Sequence, residues 1–449
     1  MLVSKALNVV SKRAPFIVGV LLACSACIRG QAQTAATSPP NGAAFRPIDA
    51  SPQIIALKQR LDSGDRLALT QFWQDAARTG TPLIEPASES PHEVIVTFIW
   101  RGDPDTENVG LLAPLAKTPG MPNFPLTRLL NTDLWYKSWQ MRDDLRFTYR
   151  FAPNVTATDK YSQQDPAVDP LNPRRMEISY DEGAKAIEFS IAALPRGAEP
   201  QWIVKQQDSP AGTVELHAFK SATLGNERKI WVYTPPGYDA NAHDAYRLLV
   251  LFDGLQYQSW IPTPTILDNL IHAGKISPTV AVLIGNAPGA RSSELEYNPA
   301  FAEFLGKELL PWIHKHWHVT RDPRKSIVGG YSDGGGAAAF VALRRPDLFG
   351  NVLSQSGSFW VGNDRENVKW EWLATAYGTS PKRPLRFFLE AGVLEDISKD
   401  GPTLLAANRH FLEVLQTKGY VVTYKEVGGT HEPVHWRGEL ADGLISLAN

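Results

Sequence analysis

The chain has 449 residues, of which 43% are hydrophobic and 20% charged, a composition typical of a soluble globular protein with a large core. This length suggests two or three domains. The formal net charge is −2, and residues 1–32 hold four basic and no acidic side chains, so the remainder has 41 basic against 47 acidic residues, a net charge of −6. Such acidity argues against a nucleic-acid-binding protein, which needs a basic face.

Residues 1–32 have the pattern of an export signal. A basic stretch that ends at Arg13 precedes an apolar run over residues 16–24, which is too short to span a bilayer as a mature helix. Cleavage after Ala32 is one interpretation. In a second, Leu21-Leu22-Ala23-Cys24 resembles a lipoprotein box with Cys24 lipidated, and an uncleaved anchor is a third. We therefore predict a periplasmic protein, soluble or lipid-anchored, with no transmembrane partner.

Both cysteines, Cys24 and Cys27, lie in this signal. A chain cut after Ala32 would thus have no disulfide, no cysteine nucleophile and no thiolate metal site. Residues 33–50 are rich in Ala, Thr, Ser and Pro and are predicted to be a flexible leader.

Two patterns follow one another over residues 51–200. Apolar residues recur at three- and four-residue intervals between positions 52 and 78, which predicts two amphipathic helices. Runs of β-branched and aromatic residues, separated by Gly, Pro, Asn and Asp loops, then occur at 94–100, 134–139 and 145–151. We predict an antiparallel, immunoglobulin-like β-sandwich after the helices, followed by a linker region over 196–212.

Residues 213–449 alternate between strand and helix patterns. Apolar runs that predict buried strands occur at 230–234, 248–252, 280–284, 352–354 and 385–389, with helices between them. Apolar strands with helical crossovers predict a mainly parallel sheet covered on both faces. This architecture is that of an α/β-hydrolase domain.

The segment Gly330-Tyr331-Ser332-Asp333-Gly334 has the pattern of a nucleophile elbow. An apolar run at 326–328 precedes it and an alanine-rich run at 337–343 follows it, and strand, Gly-x-Ser-x-Gly and helix define the motif. Ser332 is the predicted nucleophile. The amide of Asp333 would stabilise an oxyanion, and a second donor would come from the loop after Phe252, at Gly254 or Leu255.

The chain order of this fold places the acid and then the base after the serine. His431 follows a predicted strand at 421–427 and two glycines, so it would lie at the carboxyl edge of the sheet with Ser332. His435, in the same predicted loop, is the alternative base. The acid would end the preceding strand, where Glu395 and Asp396 are adjacent, and their positions alone do not choose between them.

With these motifs, the chain resembles the enterochelin (enterobactin) esterases of the Fes type, within the esterase-D-like α/β-hydrolases. The resemblance runs over about residues 70–449 and is carried in the N-terminal half by Gly80-Thr81-Pro82-Leu83-Ile84-Glu85, Asn131-Thr132-Asp133-Leu134-Trp135-Tyr136 and Asp169-Pro170-Leu171-Asn172-Pro173-Arg174. In the second half it is carried by Leu251-Phe252-Asp253-Gly254, Leu353-Ser354-Gln355-Ser356-Gly357-Ser358-Phe359-Trp360 and Gly428-Gly429-Thr430-His431. Tyr331, Asp333 and the inserted Thr430 depart from the family pattern, as does the export signal.

The resemblance implies Ser332 as nucleophile, His431 as base and Glu395 as acid. It implies hydrolysis of the cyclic serine trilactone of a catecholate siderophore, free or ferric, with no metal cofactor, because iron would arrive only with the substrate. We expect a monomer with no nucleic-acid partner. The expected substrate-binding residues are Arg291, Arg437, Glu294, Trp360 and Phe359, with Arg101 and Arg128 as further candidates.

Two other functions are open at this level. One is an exported feruloyl or acetyl esterase that acts on plant-wall carbohydrate. The other is a periplasmic siderophore-binding protein that has kept the fold but not the reaction. For the elbow itself, we predict that Asp333 points into solvent or pairs with an arginine, since its charge would otherwise oppose the developing oxyanion.

Overall fold

The computed structural model describes residues 44–88, 90–115, 123–154, 166–179, 183–398 and 400–448. The predicted export signal, with Cys24 and Cys27, lies outside these residues. Within the described ranges, no helix combines the length and the apolar character that a membrane crossing requires.

The N-terminal half of the described chain consists of two helices and a series of short strands. The helices α1 (Pro52–Asp62) and α2 (Ala68–Thr79) confirm the two predicted helices. The first begins with Ser51 as N-cap, whose hydroxyl accepts a hydrogen bond from the Ile54 amide, and with Pro52, whose fixed φ suits the first helical position. The strands are β1 (Phe45–Ile48), β2 (Leu83–Pro86), β3 (Glu93–Arg101), β4 (Val109–Leu112), β5 (Asn123–Pro125), β6 (Thr127–Arg128), β7 (Leu134–Arg142), β8 (Arg146–Pro153), β9 (Arg175–Ile178) and β10 (Ile187–Ala193).

These strands form two antiparallel sheets that share a core. One sheet has the order β1-β7-β3-β2 with β6 also on β7, and the other has the order β5-β4-β8-β10-β9. Phe98 and Trp139 from the first sheet pack with Phe147 and Tyr149 from the second, all of them buried. The runs predicted as strands at 94–100, 134–139 and 145–151 fall within β3, β7 and β8.

The end of the predicted flexible leader is ordered, which corrects that prediction. Strand β1 pairs with β7 through Phe45 opposite Met141, and the Phe45 ring lies 6.2 Å from the Trp139 ring in an edge-to-face arrangement. The Ala/Ser/Thr/Pro composition of the leader concealed this strand, in which Phe45 packs against the core of the N-terminal sheets.

The C-terminal half begins at β11 and contains the helices that the alternating pattern predicts. Its strands are β11 (Thr213–Ser221), β12 (Asn226–Thr234), β13 (Arg247–Phe252), β14 (Thr279–Ile284), β15 (Ser326–Tyr331), β16 (Asn351–Gln355), β17 (Val361–Asn363), β18 (Val368–Trp370), β19 (Arg386–Gly392) and β20 (Val421–Val427). Its helices are α3 (Gly254–Ser259), α4 (Thr263–His272), α5 (Arg291–Leu295), α6 (Pro299–Phe304), α7 (Leu310–His316), α8 (Asp333–Arg344), α9 (Trp372–Thr379), α10 (Leu404–Thr417) and α11 (Pro433–Ala448), with a π-helical turn joining α6 to α7.

The main sheet of this half has the order β11-β12-β14-β13-β15-β16-β19-β20. The six strands β14, β13, β15, β16, β19 and β20 run parallel to one another. Strand β12 is antiparallel to both β14 and β11. Alternate residues of one strand face opposite cores. Val250 belongs to the core that includes residues of α6, α7, α8 and α10, whereas Leu249 belongs to the core that includes residues of α4 and α11. The sheet is thus covered on both faces, as predicted for an α/β-hydrolase.

The second antiparallel sheet packs against the C-terminal half next to the nucleophile elbow. Ile178 and Phe189 on its outer face join Trp260, which follows α3, and Val434 of α11 in one apolar cluster. The carboxyl edge of the main sheet therefore opens toward the N-terminal half rather than into bulk solvent.

Candidate active site

Ser332 lies on a strained turn between β15 and α8. Its φ of 54° is in the left-handed region, which costs a non-glycine residue energy and is common where a side chain must be presented for reaction. A Cβ at Gly330 would lie 2.6 Å from the carbonyl carbon of Gly334. Gly330 is therefore needed for the close approach of the strand end to the helix start.

The structure brings Ser332, His431 and Glu395 into one hydrogen-bonded series. His431 Nε2 lies 3.0 Å from Ser332 Oγ, and His431 Nδ1 lies 3.1 Å from Glu395 Oε1. The Glu395 side chain is fully buried, and the imidazole is 26% exposed. The separation along the chain is 99 residues for the first pair and 36 for the second, so the fold rather than the local sequence creates this geometry.

The two alternatives that the sequence left open are resolved by position. Glu395, not Asp396, is the carboxylate that meets His431. His435 belongs to α11 rather than to the predicted loop, is buried, and has Nε2 3.5 Å from Ser356 Oγ and 3.9 Å from Glu390. Burial holds the pKa of His435 well below its usual value.

The predicted oxyanion donors lie at the first positions of two neighbouring helices. Asp333 begins α8 after β15, whereas Gly254 and Leu255 begin α3 after β13, the strand beside β15. The expected loop after Phe252 is thus the start of a short helix. The first amides of a helix have no intrahelical acceptor and lie at the positive end of its dipole, so both helix starts can stabilise negative charge near Ser332.

Asp333 pairs with an arginine, as predicted. Arg291 Nη1 donates to Asp333 Oδ2 at 2.7 Å, and its Nε and Nη2 donate to the two carboxylate oxygens of Asp253 at 2.7 and 2.9 Å. Burial alone would lower the pKa of Arg291, but the adjacent Asp253 carboxylate outweighs it and the pKa is raised. The guanidinium therefore neutralises two carboxylates beside the oxyanion donors. Arg291 also lines the cavity at Ser332, and its role in substrate binding stays a prediction.

A cavity of about 410 Å³ opens above Ser332 and His431, within the size range of small-molecule sites. Its walls are mainly apolar and aromatic, and they come from both halves of the chain. The N-terminal half contributes Pro114, Thr148, Ile178 and Phe189, and the C-terminal half contributes Gln256, Trp260, Arg291, Tyr331, Glu432, Pro433 and Trp436.

Four of the residues predicted to bind substrate do not line this cavity. Phe359 is fully buried and its ring stacks on Phe411 with centroids 4.1 Å apart, and Trp360 is 8% exposed in the same core. Such rings have no open face for a catechol. These positions correct the prediction, which treated aromatic residues after a strand as surface groups.

The two charged residues among these four, Glu294 and Arg437, are each paired with another charged side chain. Glu294 accepts hydrogen bonds from the Arg228 guanidinium at 2.7 and 2.8 Å and is buried. Arg437 pairs with Glu199 and is 12% exposed, and burial, together with Arg146, lowers its pKa to about 10. Both serve as internal ion pairs.

The further candidates Arg101 and Arg128 lie on the N-terminal half, where Arg101 pairs with Asp133 at 2.7 Å and Arg128 lies 5.7 Å from the Trp135 ring. Neither lines the cavity.

Sequence reasoning did not identify the wall residues from the N-terminal half or Glu432. Thr148 and Phe189 lie in strands whose partner surface cannot be read from the chain. Glu432 follows His431, the predicted base, directly, and that position was its only signal. Burial raises the pKa of Glu432 to about 7, although hydrogen bonds from Thr148 and Thr430 act in the opposite direction.

The parallel sheet, the strained serine turn and the Ser332–His431–Glu395 series define an α/β-hydrolase with an esterase-type site. Comparison with known proteins is consistent with this class over both halves. The family described as putative esterase matches residues 221–447, and the family described as enterochelin esterase, N-terminal, matches residues 95–203.

Individual relatives match most of the chain. An iron(III) enterobactin esterase of Dickeya dadantii is 30% identical over 416 residues, covering 83% of this chain and 91% of the relative. Among solved structures, the ferric enterobactin esterase of Salmonella typhimurium (TM-score 0.69, 26% identity) and the enterobactin esterase of Shigella flexneri in the presence of enterobactin (TM-score 0.66, 27% identity) each cover 84% of this chain, and 98% and 97% of their own. The chain belongs to the enterochelin esterase family and is a carboxylic ester hydrolase.

Proposed function

We propose that the chain hydrolyses the ester bonds of an enterobactin-type trilactone, free or ferric, and releases linear dihydroxybenzoylserine products for iron acquisition. The Ser332–His431–Glu395 series at the floor of an aromatic cavity carries this proposal. The similarity of both halves to enterobactin esterases supports the substrate class.

In the proposed reaction, Ser332 Oγ attacks a lactone carbonyl while His431 Nε2 accepts the hydroxyl proton. Glu395 accepts a hydrogen bond from His431 Nδ1 and stabilises the imidazolium. The amides at the starts of α8 and α3 hold the oxyanion. His431 then protonates the leaving serine alkoxide of the trilactone. To hydrolyse the acyl-enzyme, His431 accepts a proton from the attacking water and then returns a proton to Ser332 Oγ.

The cavity walls suit the substrate. Phe189, Trp260 and Trp436 present aromatic surface around Ser332, and flat catechol rings stack on such side chains at low entropic cost. The ester alkoxide is a better leaving group than an amide, so an activated serine with an oxyanion site suffices. The reaction as proposed needs no cofactor, and iron would enter only as part of the substrate.

The two N-terminal sheets are proposed to be an immunoglobulin-like β-sandwich domain of the enterochelin-esterase type, preceded by α1 and α2. Their shared aromatic core supports this assignment. The signal-like residues 1–32 support export to the periplasm, which protease accessibility in intact and permeabilised cells would test.

The test is replacement of the nucleophile. Ser332→Ala should abolish trilactone hydrolysis, followed by mass spectrometry of the products, while siderophore binding, followed by tryptophan fluorescence, persists. Ser277→Ala, at an exposed hydroxyl of the same half, is the matched control and should behave as the unaltered chain. Turnover retained in Ser332→Ala would disprove the assignment, and faster turnover of feruloylated or acetylated sugars than of enterobactin would favour the plant-wall esterase instead.

A further inference from the structure

The loop that carries the catalytic histidine (residues 428–432, the histidine loop) is bonded to strand β8 of the N-terminal half. The Arg146 amide donates to the Gly428 carbonyl at 2.8 Å. Two residues further along the same strand, the Thr148 amide and hydroxyl donate to the Glu432 carboxylate at 3.1 and 2.5 Å. The strand therefore holds both ends of the loop, with His431 between them.

Glu432 is the central acceptor of this arrangement. Its Oε1 also accepts from Thr430 Oγ1 at 2.5 Å, and the residue is 7% exposed. Hydrogen bonds in a largely buried, low-dielectric setting are stronger than the same bonds in water. Both neighbours of His431 are thus held in place. Thr430 is held by the bond from its hydroxyl to Glu432, and Glu432 is held by its bonds to Thr148.

The loop that carries the acid is held from the same direction. The Leu394 amide donates to the Gly429 carbonyl at 3.0 Å, and Val393 and Leu394 pack against the core shared by the two N-terminal sheets. His431 and Glu395 are consequently both placed by contacts that lead to the N-terminal half.

We propose that Glu432 is a positioning residue: anchored by Thr148 of the N-terminal half, it holds the histidine loop so that the His431 imidazole stays in line between Ser332 and Glu395. The inference rests on the proposed serine–histidine chemistry, but not on the identity of the ester. A displacement of about 1 Å between reacting groups costs on the order of 100-fold in rate. The His431 imidazole is 26% exposed and lies on a loop, so it needs such support.

Arg146 of β8 is the charged group that acts on this buried carboxylate, and it opposes the rise in the pKa of Glu432. Arg146 also interacts with Glu390 of β19 and Glu439 of α11, and Lys425 of β20 binds Glu439. Arg146 and Lys425 both act to lower the pKa of His435 of α11. A variant must therefore preserve shape as closely as possible, which favours Thr148→Val and Glu432→Gln.

The test measures the reactivity of Ser332 without any natural substrate. Thr148→Val, Thr148→Ser and Glu432→Gln are compared with the unaltered full chain for the rate at which a fluorophosphonate probe labels Ser332, and for kcat and KM on an aryl ester. Glu308→Gln is the matched control, because Glu308 also accepts from a threonine amide and hydroxyl and from a second hydroxyl. None of those residues lines the active-site cavity.

We expect Thr148→Val and Glu432→Gln to lower the labelling rate and kcat on the order of 10- to 100-fold with little change in KM. Thr148→Ser, which keeps the hydroxyl, should restore both to within about twofold. Glu308→Gln should lose thermal stability yet label at the rate of the unaltered chain.

Two results would overturn the proposal. Equal labelling rates in Thr148→Val, Glu432→Gln and the unaltered chain would show that the contact between Thr148 and Glu432 does not position His431. A rise in KM with unchanged labelling would make Glu432 a substrate contact. Failure to hydrolyse enterobactin with normal labelling would count against the proposed substrate and leave the positioning role standing.

Discussion

The nucleophile and the base of this site are held by different parts of the molecule. On the nucleophile side, Ser332 and the oxyanion donors depend on the main sheet itself, through the glycine contact under the elbow and the Arg291 bridge between Asp253 and Asp333. On the base side, His431 and Glu395 lie on loops that contact the N-terminal half.

The nucleophile and the base therefore depend on different halves of the chain. The elbow is built from residues of adjacent parallel strands, so its geometry follows from the hydrolase fold alone. The base side gains its last contacts from strand β8, which belongs to a separate sheet. Variants on the two sides should therefore fail in different ways.

Apart from removal of Ser332 itself, the largest effect is expected on the base side, at the acid. Glu395→Gln keeps the shape but removes the charge that stabilises the imidazolium, and kcat should fall about 1,000- to 10,000-fold. Steady-state kinetics on an aryl ester would measure it. Asp396→Asn is the adjacent control and should stay within about twofold, so a comparable loss in that variant would reassign the acid.

A variant on the nucleophile side should lose activity because carboxylates are left unpaired, not because a catalytic side chain is displaced. Arg291→Met leaves Asp253, which is fully buried, and Asp333 without their guanidinium, and breaking such a pair costs about 3 kcal/mol of unfolding free energy. The freed Asp333 carboxylate would also oppose the oxyanion, lowering kcat on the order of 100-fold. Urea denaturation and kinetics measure the two effects.

Arg324→Met is the control for this experiment. The Arg324 side chain is 84% exposed in its pair with Asp322, and such surface pairs contribute little to stability, so this variant should unfold at nearly the same urea concentration as the unaltered chain. Adding Asp333→Asn to Arg291→Met should restore part of kcat. If Arg291→Met were as mild as the control, the bridge would not support the elbow.

The smallest effect is a pH dependence of stability that belongs to the base side. The pKa of folded Glu432, about 7, lies above its usual value of 4.5, so folding favours the protonated form. Its contribution to the unfolding free energy is fully present below about pH 4.5 and is lost as the pH rises through 7, by at most about 1.4 kcal/mol per pH unit. Urea denaturation of the unaltered chain and of Glu432→Gln between pH 4.5 and 8 should show this decline in their difference.

Glu308→Gln should give the opposite sign. Burial acts to raise the pKa of Glu308, but hydrogen bonds from Ser221 and Thr223 outweigh it and the pKa is lowered. Its contribution should be present near neutral pH and be lost on acidification. The same slope in both variants would contradict the assignment of the Glu432 shift to burial.

Much of the fold and the centre of the site could be predicted from the sequence. Strand β13 is a continuous apolar run and the elbow is a local motif, so both follow from neighbouring residues. Glu395 and Asp396 could not be separated, because adjacent residues differ only in the direction that the fold gives them. Phe359 was placed in the cavity by prediction and in the core by structure, since an aromatic residue after a strand suits either.

The least predictable contact is the one between Thr148 and Glu432, which are 284 positions apart. No local periodicity relates two such residues, and each has an ordinary local explanation, as a strand threonine and as a surface-type glutamate. Only the packing of the second N-terminal sheet against α11 and the histidine loop brings them together.

That separation also sets an order of events during synthesis. At about 5–20 residues per second, Thr148 is synthesised roughly 15–60 seconds before Glu432. The N-terminal sheets can complete their own ladders in that interval, whereas the cavity gains its base only after residues 428–432 have been added. A chain that stops before Gly428 has the nucleophile elbow but no His431 to activate it, so the proposed reaction requires the chain to extend past the histidine loop.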